Sequence, residues 1–259
     1  MKLLFQTTGT AGNTELKELL GFIDADLKLK NLLPDIVTAT NDVIDLVGIE
    51  VYKKALEAYN DANIADEHKD FIYAIRYPIA VNAYRLHAPS NDLAHTNNGR
   101  KMRQDDGEKQ AFQWMIDSDN AALEKRYYRA LDDLIKFLDR SKVETENAQT
   151  LYTIWTNSEA FKATHELMIR TVKEFDTVFP INSRLLLLKL APGISDCEQY
   201  EIRPRVGDEK LTTLRTKLKS NTDLTDATDI ELIRLIRKAS VAYSFAWAMP
   251  RLSVQLYPE

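Results

Sequence analysis

Residues 108–139 read EKQAFQWMIDSDNAALEKRYYRALDDLIKFLD. Within them Phe112, Ile116, Leu123, Tyr127, Leu131, Leu134 and Leu138 recur three, four or seven residues apart, with Lys, Arg and Asp between them. Only a helix puts such positions on one stripe, so the spacing predicts an amphipathic rod. At 1.5 Å per residue its length is about 48 Å, more than a compact domain needs. The rod therefore either protrudes or breaks near Asp117-Ser118-Asp119-Asn120.

Upstream, Phe71, Ile72, Ile75, Ile79, Asn82, Ala83 and Leu86 predict a second helix over Glu67 to Leu86, bent at Pro78. Between the two rods lies a segment rich in Asn, Asp, Ser, Pro and Gly, residues 87–107, which reads as a long loop. Closer to the start, Thr14 and Gly21 flank a short helix, Glu15 to Leu20. Asp26 to Val47 is helical with an interruption at Pro34, and Val51 to Tyr59 follows Gly48.

Downstream, the polar run Ser141 to Gln149 reads as a hinge. Thr156 and Glu159 have the spacing of a capping box opening a helix to about Phe175, and Thr228 and Glu231 that of a box opening one to Met249. Arg184 to Leu190 fits strand or helix equally. Ile194 to Tyr200 and Asp208 to Lys219 read as helices. Leu3 to Thr7 and Arg251 to Tyr257 have the alternation of short strands. The fold class expected is mainly α, a multi-helix bundle with one or two short β-strands at the termini. Its halves, 1–140 with the long loop 87–107 and 150–259, are either separate or one continuous domain.

Composition agrees. Eight glycines in 259 residues are few for a sheet protein, which uses glycine at its positive-φ turns. Apolar residues at 44% against 28% charged describe a folded chain rather than a disordered one. A net charge of −5 speaks against a nucleic-acid-binding surface, leaving such contact at most incidental. The opening Met1-Lys2-Leu3-Leu4-Phe5-Gln6 turns polar too early for a signal peptide. The longest uncharged run, Ala239 to Pro250, is shorter than the ~20 residues of a membrane span. The expectation is a protein cytoplasmic at synthesis, without membrane contact.

Catalytic signatures fail on inspection. His165-Glu166 lacks a second histidine four residues on, where Ile169 stands, so the zinc-protease pattern is broken. His87 and His95 lack further ligands at useful spacing and read as loop histidines in solvent. Gly9 and Gly12 accompany no phosphate-loop lysine. Asp105-Asp106 and Asp132-Asp133 are sequence neighbours whose side chains diverge on a helix, as on solvated faces. Cys197, the single cysteine, reads as a buried thiol, and Trp114, Trp155 and Trp247 read as core. No catalytic residue, cofactor, metal or small-molecule substrate is expected. The candidate interface is the polar and basic group Asn97, Asn98, Arg100, Lys101 and Arg103, suited to an acidic partner surface or phosphates.

Three patterns together resemble a largely uncharacterised family of helical phage and prophage proteins near the capsid-to-tail junction. They are Leu16-Lys17-Glu18-Leu19-Leu20-Gly21 with Val47-Gly48; then Ala80-Val81-Asn82-Ala83-Tyr84, the loop Thr96-Asn97-Asn98-Gly99 and the rod ending Leu131 to Leu138; and Trp155, Ser158, Phe161 and Phe175 with the final helix Ala239 to Met249. The resemblance implies a non-enzymatic head–tail connector, an adaptor that docks on portal or neck proteins and self-associates in a ring. It implies that residues 89–107 are the docking element and that the virion is the destination if the chain is phage-derived. The rival reading is a helical protein-interaction module of the cytoplasm.

Overall fold

The computed structural model describes residues 2–7, 10–23, 27–61, 66–97, 99–102, 111–140, 146–220 and 225–252; at 66–67, 94–95, 99–102 and 146–150 it describes the backbone alone. The fold is mainly α, and contacts divide it into two compact units, Met1–Ile154 and Trp155–Glu259.

The first unit holds α1 (Ala11–Leu20), α2 (Leu29–Val47), α3 (Ile49–Asn60), α4 (Asp66–Asn91) and α5 (Gln113–Arg140), and most of α6 (Glu146–Thr156). Between α4 and α5 stand two antiparallel strands, β1 (Leu93–Thr96) and β2 (Gly99–Met102). In α2 the buried residues Leu29, Leu32, Ile36, Ala39, Thr40, Val43 and Val47 keep helical spacing. The helix runs through Pro34 without the expected interruption, although the proline, in its second turn, has no N–H to give the Lys30 carbonyl. Gly48, at φ +90°, then turns the chain into α3. The centre of the unit is α4, whose Ile75, Ile79, Ala80, Val81 and Ala83 are fully buried between α2 and α5. Against α5 its Phe71 ring stacks on Phe137 at 6.2 Å, and Arg85 lies 5.3 Å above the Tyr127 ring.

No strand forms at Leu3 to Thr7. Leu4 and Phe5 are buried instead, and backbone groups of the segment pair with side chains: Tyr52 Oη donates to the Lys2 carbonyl at 2.9 Å, and the Gln6 N–H donates to Glu15 at 3.0 Å. Gly12 permits this path, since a Cβ there would stand 2.0 Å from the Gln6 carbonyl oxygen. Arg76 locks the corner, 2.9 Å from Glu15 and over the rings of Phe5 and Tyr59. Residues 87–102 are also not the loop expected: α4 continues to Asn91 and the hairpin follows at once. Of the hinge read at Ser141 to Gln149, residues 146–149 belong to α6 and 141–145 lie outside the described residues.

The second unit contains α7 (Glu159–His165), α8 (Val172–Asp176), α9 (Arg184–Asp196), a π-helical turn (Cys197–Ile202), α10 (Arg203–Val206), α11 (Asp208–Lys219) and α12 (Ala227–Ala248). Two apolar clusters form its core. Leu187, Leu190, Ala191 and Ile194 of α9 meet Phe175, Val241 and Ala248 in one; Leu211, Leu214 and Leu218 of α11 meet Met168, Ile233 and Ile236 in the other. Both use α12. Gly193 lets α9 approach it closely, because a Cβ would lie 3.1 Å from the Trp247 ring.

Helix starts in this unit differ from the sequence reading. Ser158, not Thr156, caps α7, accepting from the Phe161 N–H at 3.2 Å. That helix stops at His165 rather than near Phe175. Leu167, Met168 and Ile169, all buried, follow it outside any helix, and the Met168 N–H is given to the Glu198 carboxylate instead of to a helical carbonyl. The capping box stands further on, where Thr171 and Glu174 satisfy each other's backbone N–H groups. Asp226 rather than Thr228 caps α12, accepting from the Thr228 N–H at 2.8 Å. The undecided Arg184 to Leu190 is helix, and Ile194 to Tyr200 is the end of α9 plus the π-helical turn. At Arg251 and Leu252 the chain is in a turn, not a strand; 253–257 lie outside the described residues.

Candidate functional site

The hairpin carries part of the expected interface. Asn97 is exposed in its turn. Arg100 pairs in register with His95, and Lys101 with Ala94. Asn98 and Arg103 lie outside the described residues. Next to it in the chain, α5 opens on a feature that the apolar stripe did not reveal. The register set by Phe71 on Phe137 and Arg85 on Tyr127 places Asn91, the end of α4, opposite residue ~119 of α5. Gln113 to Ser118 therefore reach past the partner helix, and the first buried residue of α5 is Leu123.

Phe112 and Trp114 are each 69% exposed, and Met115 is 45% exposed. Large aromatics usually bury about 150–250 Å² each, so two in open water within three residues form an unusual surface. Trp114 is therefore not the core residue expected, and the apolar stripe is exposed where it begins, at Phe112. The sequence did hold a clue for Trp114: it sits two residues from both Phe112 and Ile116, on the opposite side of the helix from the stripe. Beyond the aromatics come Asp117 and Asp119, both exposed, with Gln113 donating to Asp117 at 2.8 Å. The tip is apolar with an acidic flank.

The second unit holds a cleft of ≈ 260 Å³ between the α7–α8 connection, the π-helical turn and α11. Its centre is Glu198, 1% exposed, whose carboxylate accepts from the Met168 N–H at 2.7 Å and from Arg215 at 2.6 Å. Burial pushes the Glu198 carboxyl above its usual range, against the opposing pull of Arg215 and the Met168 N–H. Around it, Lys219 pairs with Glu166 and Arg203 with Asp208. The Glu198 and Lys219 contacts tie down the segment after α7, and the Arg203 pair joins α10 to α11. Nearby, Lys210 and Lys217 reach the buried Asp229 at 2.5 and 2.8 Å and hold its carboxyl below the usual range.

The remaining residues read for chemistry fall elsewhere. His165 stacks on Phe161 at 4.4 Å, and burial, aided by Arg170 and Lys219, holds its imidazole below the usual range. His87 is on α4 rather than in a loop, half-buried 3.3 Å from Asp35. Asp132, expected on a solvated face, is buried and pairs with Lys136 at 2.5 Å. Cys197 is buried, Trp155 is fully buried, and Trp247 is partly buried against the α9 cluster. Among the described residues no group of three or more His, Cys, Asp or Glu side chains is placed to hold a metal. None of the helices described is long and apolar enough to cross a membrane.

The fold and its surfaces define a helical protein with a projecting, partly apolar tip. A model for a family of unknown function (DUF6712) matches residues 43–164, which run from the later turns of α2 to the end of α7 and so include the hairpin and the tip. Comparison with curated proteins and with solved structures returned no match.

Proposed function

We propose that the chain is a non-enzymatic structural protein, a phage or prophage head–tail connector that docks on a portal or neck protein and associates with copies of itself. One observation carries the reading. The opening turns of α5 stand clear of α4, and Phe112, Trp114 and Met115 at its start are exposed to solvent, a short way along the chain from the hairpin. Aromatic side chains are what protein interfaces bury at their centres. The resemblance stated above supplies the connector context, and the segment it assigns to docking, residues 89–107, leads directly into this tip.

Removing the gene from its phage or prophage tests the proposal. The expected outcome is filled heads and free tails that fail to join, restored by the wild-type gene supplied in trans. Infectious, fully joined particles in its absence would overturn the connector role. That result would favour the rival reading of a protein-interaction module, for which the same projecting tip is also the main support.

A further inference from the structure

A second exposed apolar surface lies on α12. Leu235, Ala239, Ala242, Ala246 and Met249 are all exposed, and their spacing of four, three, four and three residues makes them one stripe of the helix. Leu235 and Met249, 48% and 79% exposed, stand at its ends, and the alanines form a low floor between them. Its charged neighbours are basic. Lys238 flanks the stripe, and Arg251 stands beyond Met249, over the Trp247 ring at 4.9 Å. At the other end Arg234 and Glu231 pair with each other and cancel.

This surface complements the α5 tip. One is apolar with an acidic flank, Asp117 and Asp119; the other is apolar with a basic flank, Lys238 and Arg251. We infer that a second copy of this chain occupies the stripe: Trp114 of one copy seats on the alanine floor of α12 in the next, between Leu235 and Met249. Met115, next to Trp114 on the helix, would cover the rim, and the two charge pairs would set the orientation. Because tip and stripe are different surfaces, the contact closes as a reciprocal pair where both engage the same neighbour and propagates into a ring or a filament where they engage two. The inference rests on the self-association half of the proposed function and supplies its geometry.

Two single variants of the full chain test it, Trp114→Asp in the tip and Leu235→Glu in the stripe. Both positions are exposed, so the fold is expected to be retained, as circular dichroism would check. Each variant alone should associate about thirtyfold more weakly than wild type, the loss typical of a central aromatic anchor. Mixed one to one, they should form a complex of two chains and no larger. The intact tip of the Leu235→Glu chain meets the intact stripe of the Trp114→Asp chain, while the other tip and stripe are both disabled. Three results would overturn the inference: a monomeric wild type at its highest soluble concentration, variants that keep the wild-type mass, or a mixture with no two-chain complex. A mass that rises when residues 253–259 are deleted would also overturn it, by making the chain's own tail the cover of the stripe. Co-sedimentation of wild type with portal, run in parallel, separates this from the wider reading. Portal binding by a chain whose pairing fails leaves the connector role standing; expected pairing without portal binding removes that role and keeps the contact.

Discussion

Replacing Glu198 separates what its charge does from what its shape and hydrogen bond do. In Glu198→Ala the buried Met168 N–H loses its acceptor, which costs about 1–3 kcal/mol. The vacated volume, at a site 1% exposed, adds about 1 kcal/mol. Arg215 contributes little to the loss, because its side chain is 33% exposed and can hydrate once released. The total is about 2–4 kcal/mol. Glu198→Gln keeps the volume and an oxygen for the Met168 N–H. The raised carboxyl pKa means that ionisation costs the native state free energy, so removing the charge should leave stability at neutral pH equal to or above that of wild type. The sign follows from proton binding. The folded chain holds the Glu198 proton to higher pH than the unfolded chain does, so this group's contribution falls as pH rises from the ordinary value of 4.5 through the raised one. The glutamine variant should lack that fall. Urea unfolding of the three proteins across this pH range reads both effects from midpoints at constant slope. A glutamine variant as damaged as the alanine variant would refute the reasoning and make the Arg215 ion pair the element that holds the segment.

Other substitutions test other parts of the structure. Gly12→Ala should cost about 1–3 kcal/mol by forcing the Gln6 backbone aside, read as a lowered melting temperature; an unchanged one would mean that residues 2–7 do not pack there. Trp155→Ala should cost about 3–5 kcal/mol and Trp114→Ala less than about 0.5, so denaturant midpoints should place the two tryptophans at opposite ends of the scale. For His165 the sign is the reverse of that for Glu198. Its pKa is lowered in the fold, so the unfolded chain takes up a proton first, and stability falls as pH drops through 6.5 toward the lowered value. His165→Phe keeps the stack on Phe161 and should flatten that part of the pH profile; an unaltered slope would assign it to other groups.

The long helices were legible because burial on one face leaves a period in the sequence. The stripe of α5 from Leu123 to Leu138 and the buried run of α2 are both of this kind. What escaped depends on contacts distant in sequence. Leu167, Met168 and Ile169 look like the middle of a helix until the Glu198 carboxylate, thirty residues on, is seen to take the Met168 N–H. The run Asn97-Asn98-Gly99 has turn-prone composition, but its flanks, Leu93 to Thr96 and Arg100 to Met102, lack the alternation that marks strands. The π-helical turn leaves no periodic trace at all. The candidate interface was read from its charges, which drew attention to Arg100 and Lys101 and away from the aromatic residues a few positions later. Exposure of an aromatic side chain depends on where the neighbouring helix ends, and α4 ends at Asn91 for reasons that lie outside α5.

The most direct measurement is the mass of the purified protein in solution by light scattering, alone and then mixed with the portal protein that the proposed connector role requires. The expected result is a mass several times the 29.7 kDa of one chain, and a larger complex when portal is added. A species of 29.7 kDa in both samples would contradict it.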